Sequence, residues 1–154
     1  FAECATLALG LLIAGRLQGL VAQMLLGPRG GLTAARAALE IGEPGFSVLG
    51  AALGFAGAGV YEEVLFRLLL LPPMSACVAR LGLAGGARIA IAVAGTSLLF
   101  AAAHYLGPHG EEFEAFSFWF RFTAGAVFAM LFVYRGFGIA AGTHALYDIF
   151  VSVG

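Results

Sequence analysis

Five stretches of roughly twenty mainly apolar residues, near 5–26, 46–71, 88–106, 118–135 and 137–154, constrain this chain more than anything else in it. A bilayer core about 30 Å thick takes about 20 helical residues to cross. No stretch alternates apolar and polar residues as a half-buried strand does. Backbone groups in lipid must also be paired within their own segment, so helices are the natural solution. The expected fold is therefore all-α: a polytopic transmembrane helix bundle of about five membrane helices. Pro72-Pro73 should end the second helix and Gly85-Gly86 should precede the third, leaving room between them for a short interfacial helix. Only "RGFG", a tight turn, separates the last two.

Composition agrees. The chain is 61% hydrophobic and 11% charged, with a mean hydropathy of +0.97, whereas a soluble domain carries about 25% charged residues. A multi-pass integral membrane protein follows, with the lipid bilayer as its surroundings. A net charge of −1 and no basic cluster give no reason to expect nucleic acid. All eight basic residues are arginines, Asn is absent, and Asp148 is the only Asp. This Ala/Gly-rich, Lys-free usage fits GC-rich codons and a prokaryotic cell membrane. Cys4 and Cys77 make no metal or redox spacing and read as small packing residues. We expect one membrane-embedded domain over residues 1–154, cut from a longer chain, with a catalytic core at 46–154. Arg80, Arg88 and Arg135 lie in loops without acids, so those loops are expected to face the cytoplasm. Glycines four apart (Gly15/Gly19, Gly50/Gly54, Gly138/Gly142) suit close helix approach in lipid.

Against this background the ionisable residues inside spans stand out, because such groups are expensive there and mark function by default. They are Arg16, Glu62, Glu63, Arg67, His104, Arg121, His144 and Asp148. Arg16 faces other helices or snorkels, and Arg121, near a helix end, can reach the headgroups. In "VYEEVLFRLLLL", Glu63 and Arg67 are four apart with the acid first, the favourable orientation for a pair. Glu62 is rotated about 100° from Glu63 and is left facing elsewhere. The spacing thus divides the labour: Glu63 with Arg67 is structural, and Glu62 is available for chemistry. His144 and Asp148 are again four apart, so the carboxylate can fix which imidazole nitrogen carries the proton. His104 closes the third span, and His109 reads as solvated in its polar loop. Three helices would then bring an acid/base carboxylate and two imidazoles inward, enough to activate a water.

Three short patterns occur in order: "EEVLFR" fits EExxxR, "FAAAH" fits FxxxH and "HALYD" fits HxxxN/D. With them the chain, from about residue 46 onward, resembles the CPBP intramembrane glutamic endopeptidases, the Abi or CAAX-protease family that includes the type II CAAX prenyl endopeptidases. The resemblance implies hydrolysis of a peptide bond near the membrane, without metal or other cofactor, in a peptide or protein substrate such as a C-terminal tail. It implies that Glu62 and His104 hold and activate the water, that His144 and Asp148 serve the oxyanion, and that Glu63 and Arg67 orient the site. One departure is chemical. Where many members carry Asn this chain has Asp148, and an ionised carboxylate accepts hydrogen bonds and repels an oxyanion. Asp148 is therefore expected to orient His144, with His144 as the donor.

Other readings stay open at this level. Glu62, His104, His144 and Asp148 are a conceivable metal set, although HExxH is absent. A serine protease built on Ser97 and His104 would place the pair about 10 Å apart along one helix. A non-catalytic binding or immunity protein, or a proton-coupled carrier, would use the same charges as a structural network or relay. Depth also poses a problem. Counted from the expected helix ends, Glu62 and Asp148 lie about 14 Å in, His144 about 10 Å and His104 about 24 Å. Tilt, or a third helix that starts at depth, would have to close that gap.

Overall fold

A computed structural model describes residues 1–26, 48–107 and 110–153. Among them there is no strand, and the all-α expectation holds. The helices are α1 (Ala2–Leu26), α2 (Val48–Glu63), a π-helical segment (Val64–Leu70), α3 (Leu71–Arg80), α4 (Gly85–Ala103), α5 (Ala115–Arg135) and α6 (Phe137–Val153). α1, α4 and α5 are long and apolar enough to cross a membrane, and α6 is a shorter apolar helix. The chain is an integral membrane protein. It divides into two compact units, Phe1–Val60 with Gly142–Gly154, and Tyr61–Ala141.

In the first unit α1 buries one narrow stripe, Cys4, Ala8 and Leu11, spaced four and three apart as one helix face requires. Leu9, Ile13, Leu17, Leu20 and Val21 point outward, the arrangement of a helix whose other faces meet lipid. Of the glycine pairs expected to mediate contact, Gly54 and Gly138 have open space where a side chain would go. At Gly142 an added Cβ would stand 3.0 Å from Cys4 Sγ. Spacing identified a small-residue class, and packing used only some of its members. Arg16 is exposed. His109 and the 27–47 segment, with Arg29, Arg36, Glu40 and Glu43, lie outside the described residues.

The second unit corrects the expected end of the second helix. The chain stays helical through Pro72-Pro73, which lie in the first turn of α3. Each proline lacks an N–H, and its ring collides with the carbonyl four residues back in an ordinary α-helix. The preceding turn is instead widened to π geometry, and the Leu71 N–H bonds to Phe66 O, five residues back. A wide turn of this kind is a recognised response to a disturbed i→i−4 ladder. The chain reverses after α3, where Gly82 takes φ +84°, a value that suits glycine. The segment between the second and third spans is helical as α3, but it continues the second helix instead of standing apart from it.

α4 runs back antiparallel. Phe66 meets Phe100 at 5.3 Å between ring centroids. Nearer the turn, Leu71 packs with Ala92, Val93 and Ala129, flanked by Met74, Ile89, Ala126 and Phe132. Glu62 lies 18 residues before Arg80, and His104 lies 19 residues after Gly85. Two arms of nearly equal length, about 27 and 28 Å, therefore bring Glu62 and His104 level. The depth mismatch came from ending the second helix at residue 71.

Candidate active site

Glu63 and Arg67 are buried, at 0% and 1% exposure, with Arg67 Nε 3.2 Å from Glu63 Oε2. Arg67 Nη2 donates to the Gly125 carbonyl at 2.9 Å. Its guanidinium carbon stands 4.8 Å from the Phe100 ring centroid, with Phe66 and Phe128 further off. Arginine suits this role because its planar fork can bond a carboxylate and a carbonyl while its face rests on an aromatic ring. The pair expected from the four-residue spacing is therefore present, and it ties the π segment to α5.

Glu62, rotated onto another face, points toward His104: Oε1 lies 3.7 Å from Nε2, with side chains 27% and 23% exposed. His104 caps the C-terminus of α4. Its Nδ1 is 2.9 Å from the Phe100 carbonyl, which can only accept, so we infer that Nδ1 carries the proton in the neutral ring. Nε2 is then an acceptor turned toward Glu62. The Phe100 ring packs edge-on against the imidazole at 5.1 Å. Phe100 thus touches both pairs, with one face toward Arg67 and its edge and carbonyl toward His104.

In the other unit, His144 Nε2 is 3.6 Å from Asp148 Oδ2, with His144 nearly buried at 6% and Asp148 at 21%. The i,i+4 pairing is as expected. α2 approaches it closely: a Cβ at Gly59 would lie 2.6 Å from Asp148 Oδ2 and 3.3 Å from the imidazole. Only glycine fits there without displacing the carboxylate.

Ser97 is 1% exposed and donates its hydroxyl to the Val93 carbonyl at 2.7 Å. It is a satisfied helix hydroxyl, and Ser97 with His104 makes no nucleophile–base pair. Sequence reasoning missed the surroundings of Arg121. Instead of reaching for headgroups alone, Arg121 Nη2 meets Glu111 Oε1 at 2.6 Å, and its guanidinium lies 5.4 Å from the Tyr105 ring. The Glu111 N–H donates to the His104 carbonyl at 3.0 Å. The sequence offered no signal for this, because the register of a polar loop cannot be read from spacing. Gly125 and Gly59 were missed for a related reason: close approach is a property of the neighbouring helix.

The family model described as Type II CAAX prenyl endopeptidase Rce1-like matches residues 44–150. The chain belongs to this family. None of the curated proteins and none of the solved structures matches it. Membership agrees with the resemblance carried by the three motifs, and all three fall within the matched span. As a member of the Rce1-like family the chain is a CAAX-type membrane endopeptidase, acting on a protein or peptide at the membrane.

Proposed function

We propose that this endopeptidase is of the glutamic type, with a water activated jointly by Glu62 and His104. The facing of Glu62 Oε1 and His104 Nε2 at 3.7 Å is the observation that carries the reading. With the imidazole proton on Nδ1, both facing atoms are acceptors, and the separation exceeds a direct hydrogen bond. A water seated beside them, about 2.8 Å from each, donates one hydrogen to either atom. Its lone pairs are then directed away from both groups, toward an incoming carbonyl carbon. Attack transfers a water proton to Glu62 as the C–O bond forms, and Glu62 returns it to the leaving amine as the C–N bond breaks.

By the family pattern, His144 donates to the oxyanion and Asp148 holds the His144 ring. The Asp148 carboxylate faces the ring, with Oδ2 3.6 Å from Nε2, close enough to bias its orientation. Glu63 and Arg67 act at a distance from substrate, by fixing the π segment and Phe100. The mechanism we propose uses water and side chains alone. The location we propose is a prokaryotic cell membrane.

The test is hydrolysis of a fluorogenic peptide panel by purified protein in detergent. Glu62→Gln and His104→Ala should each lower kcat by about 10²–10⁴-fold, the range for a positioned acid or base, with the fold retained. Strong chelation should leave the rate unchanged. Full activity in Glu62→Gln, or loss on chelation that added zinc restores, would overturn the proposal.

A further inference from the structure

We propose that Arg121 and Glu111 form a clasp that positions His104, an inference that rests on the functional reading above. Helix α4 ends at Ala103, and the last carbonyls of any helix lack intrahelical partners. At this end the His104 carbonyl receives the Glu111 N–H at 3.0 Å. The side chain of the same Glu111 is held by Arg121 Nη2 at 2.6 Å. Glu111 is therefore a two-ended link, with its backbone on the residue that carries the imidazole and its carboxylate on the second turn of α5. The link is braced sideways. The Arg121 guanidinium lies over Tyr105, the residue after His104, and the Tyr105 hydroxyl donates to the Glu114 carbonyl at 3.4 Å.

The Arg121 and Glu111 side chains are 20% and 43% exposed, and such a pair contributes little to stability. Its value lies in geometry. A displacement of about 1 Å at a reacting group can cost up to about 10² in rate, and the clasp fixes the helix end from which the imidazole reaches toward Glu62. Arg121 and Glu111 are thus positioning residues that act through the His104 backbone.

The experiment compares the full chain in detergent as wild type, Arg121→Gln, Arg121→Lys, Glu111→Arg, Arg121→Glu and the double exchange Glu111→Arg with Arg121→Glu. Arg121→Gln should lower kcat about tenfold with KM within about twofold. Arg121→Lys should retain most of the rate, and the double exchange should recover most of what either charge reversal loses. A second arm needs no substrate: hydrogen exchange at the Glu111 amide should quicken in Arg121→Gln and return toward wild type in Arg121→Lys. A wild-type kcat in Arg121→Gln, an unchanged Glu111 amide, or an exchange pair no better than its single reversals would overturn the clasp. The two proposals fail separately. Hydrolysis that survives Glu62→Gln removes the mechanism and leaves the amide arm readable. Loss in Glu62→Gln beside normal kcat and exchange in Arg121→Gln removes the clasp alone.

Discussion

Glu62 and Glu63 are neighbours of identical chemistry, yet one helical step gives them opposite surroundings. Glu63 is fully buried against an arginine that is itself bonded to a backbone carbonyl and packed on rings. Glu62, about a quarter exposed, faces an imidazole across a gap too long for a direct bond. A buried carboxylate with its cation in place has little left to offer a substrate. A partly exposed carboxylate remains within reach of one. In the mechanism proposed above, a rotation of about 100° separates the carboxylate that holds the fold from the one that handles a proton.

The sharpest way to break this comparison is to neutralise each acid in turn. Glu62→Gln should abolish most hydrolysis, by about 10²–10⁴-fold, while its thermal midpoint in detergent stays close to wild type. Arg67→Leu should do the reverse. It strands Glu63 without its cation, at a cost of about 3–5 kcal/mol, seen as a large drop in thermal midpoint. Adding Glu63→Leu to it should recover much of the loss, since an apolar pair of similar volume is often tolerated. If Glu62→Gln melts the protein and Arg67→Leu does not, the roles are reversed.

A smaller effect is expected at the seam that joins the two regions. A Cβ at Gly125 would sit 2.9 Å from Phe100 Cδ1, so Gly125→Ala should cost about 1–3 kcal/mol through overpacking. Because Phe100 bears on both Arg67 and His104, that variant should lose stability and rate together. The smallest effect is expected at Asp148. If it orients His144, Asp148→Asn should keep activity within about threefold of wild type or raise it. A loss comparable with that of Glu62→Gln would refute the orienting role.

Much of the architecture was legible because lipid leaves few choices: long apolar stretches without alternation must be helical. The partition between Glu62 and Glu63 was legible for the same reason, since i,i+4 spacing on a helix fixes who can pair. What escaped was whatever depends on a second element. Pro72-Pro73 reads locally as a stop, but the π segment accommodates it and the helix continues. The levels of Glu62 and His104 could not be matched until α3 was counted as part of one arm. Arg121 looked like a headgroup residue because its partner, Glu111, sits in a loop whose path no periodicity encodes. Gly59 and Gly125 carry no motif at all, and each is defined by what lies across from it: a carboxylate in one case, a phenyl ring in the other.

The nearly equal arms on either side of Gly82 have a consequence for how this sequence can change. A residue inserted within 81–84 lengthens only the bend. A residue inserted between Glu62 and Arg80, or between Gly85 and His104, would slide one facing group by about 1.5 Å and swing it by about 100° relative to the other. An insertion in either limb should therefore disturb the facing pair, whereas one in the connection should be tolerated.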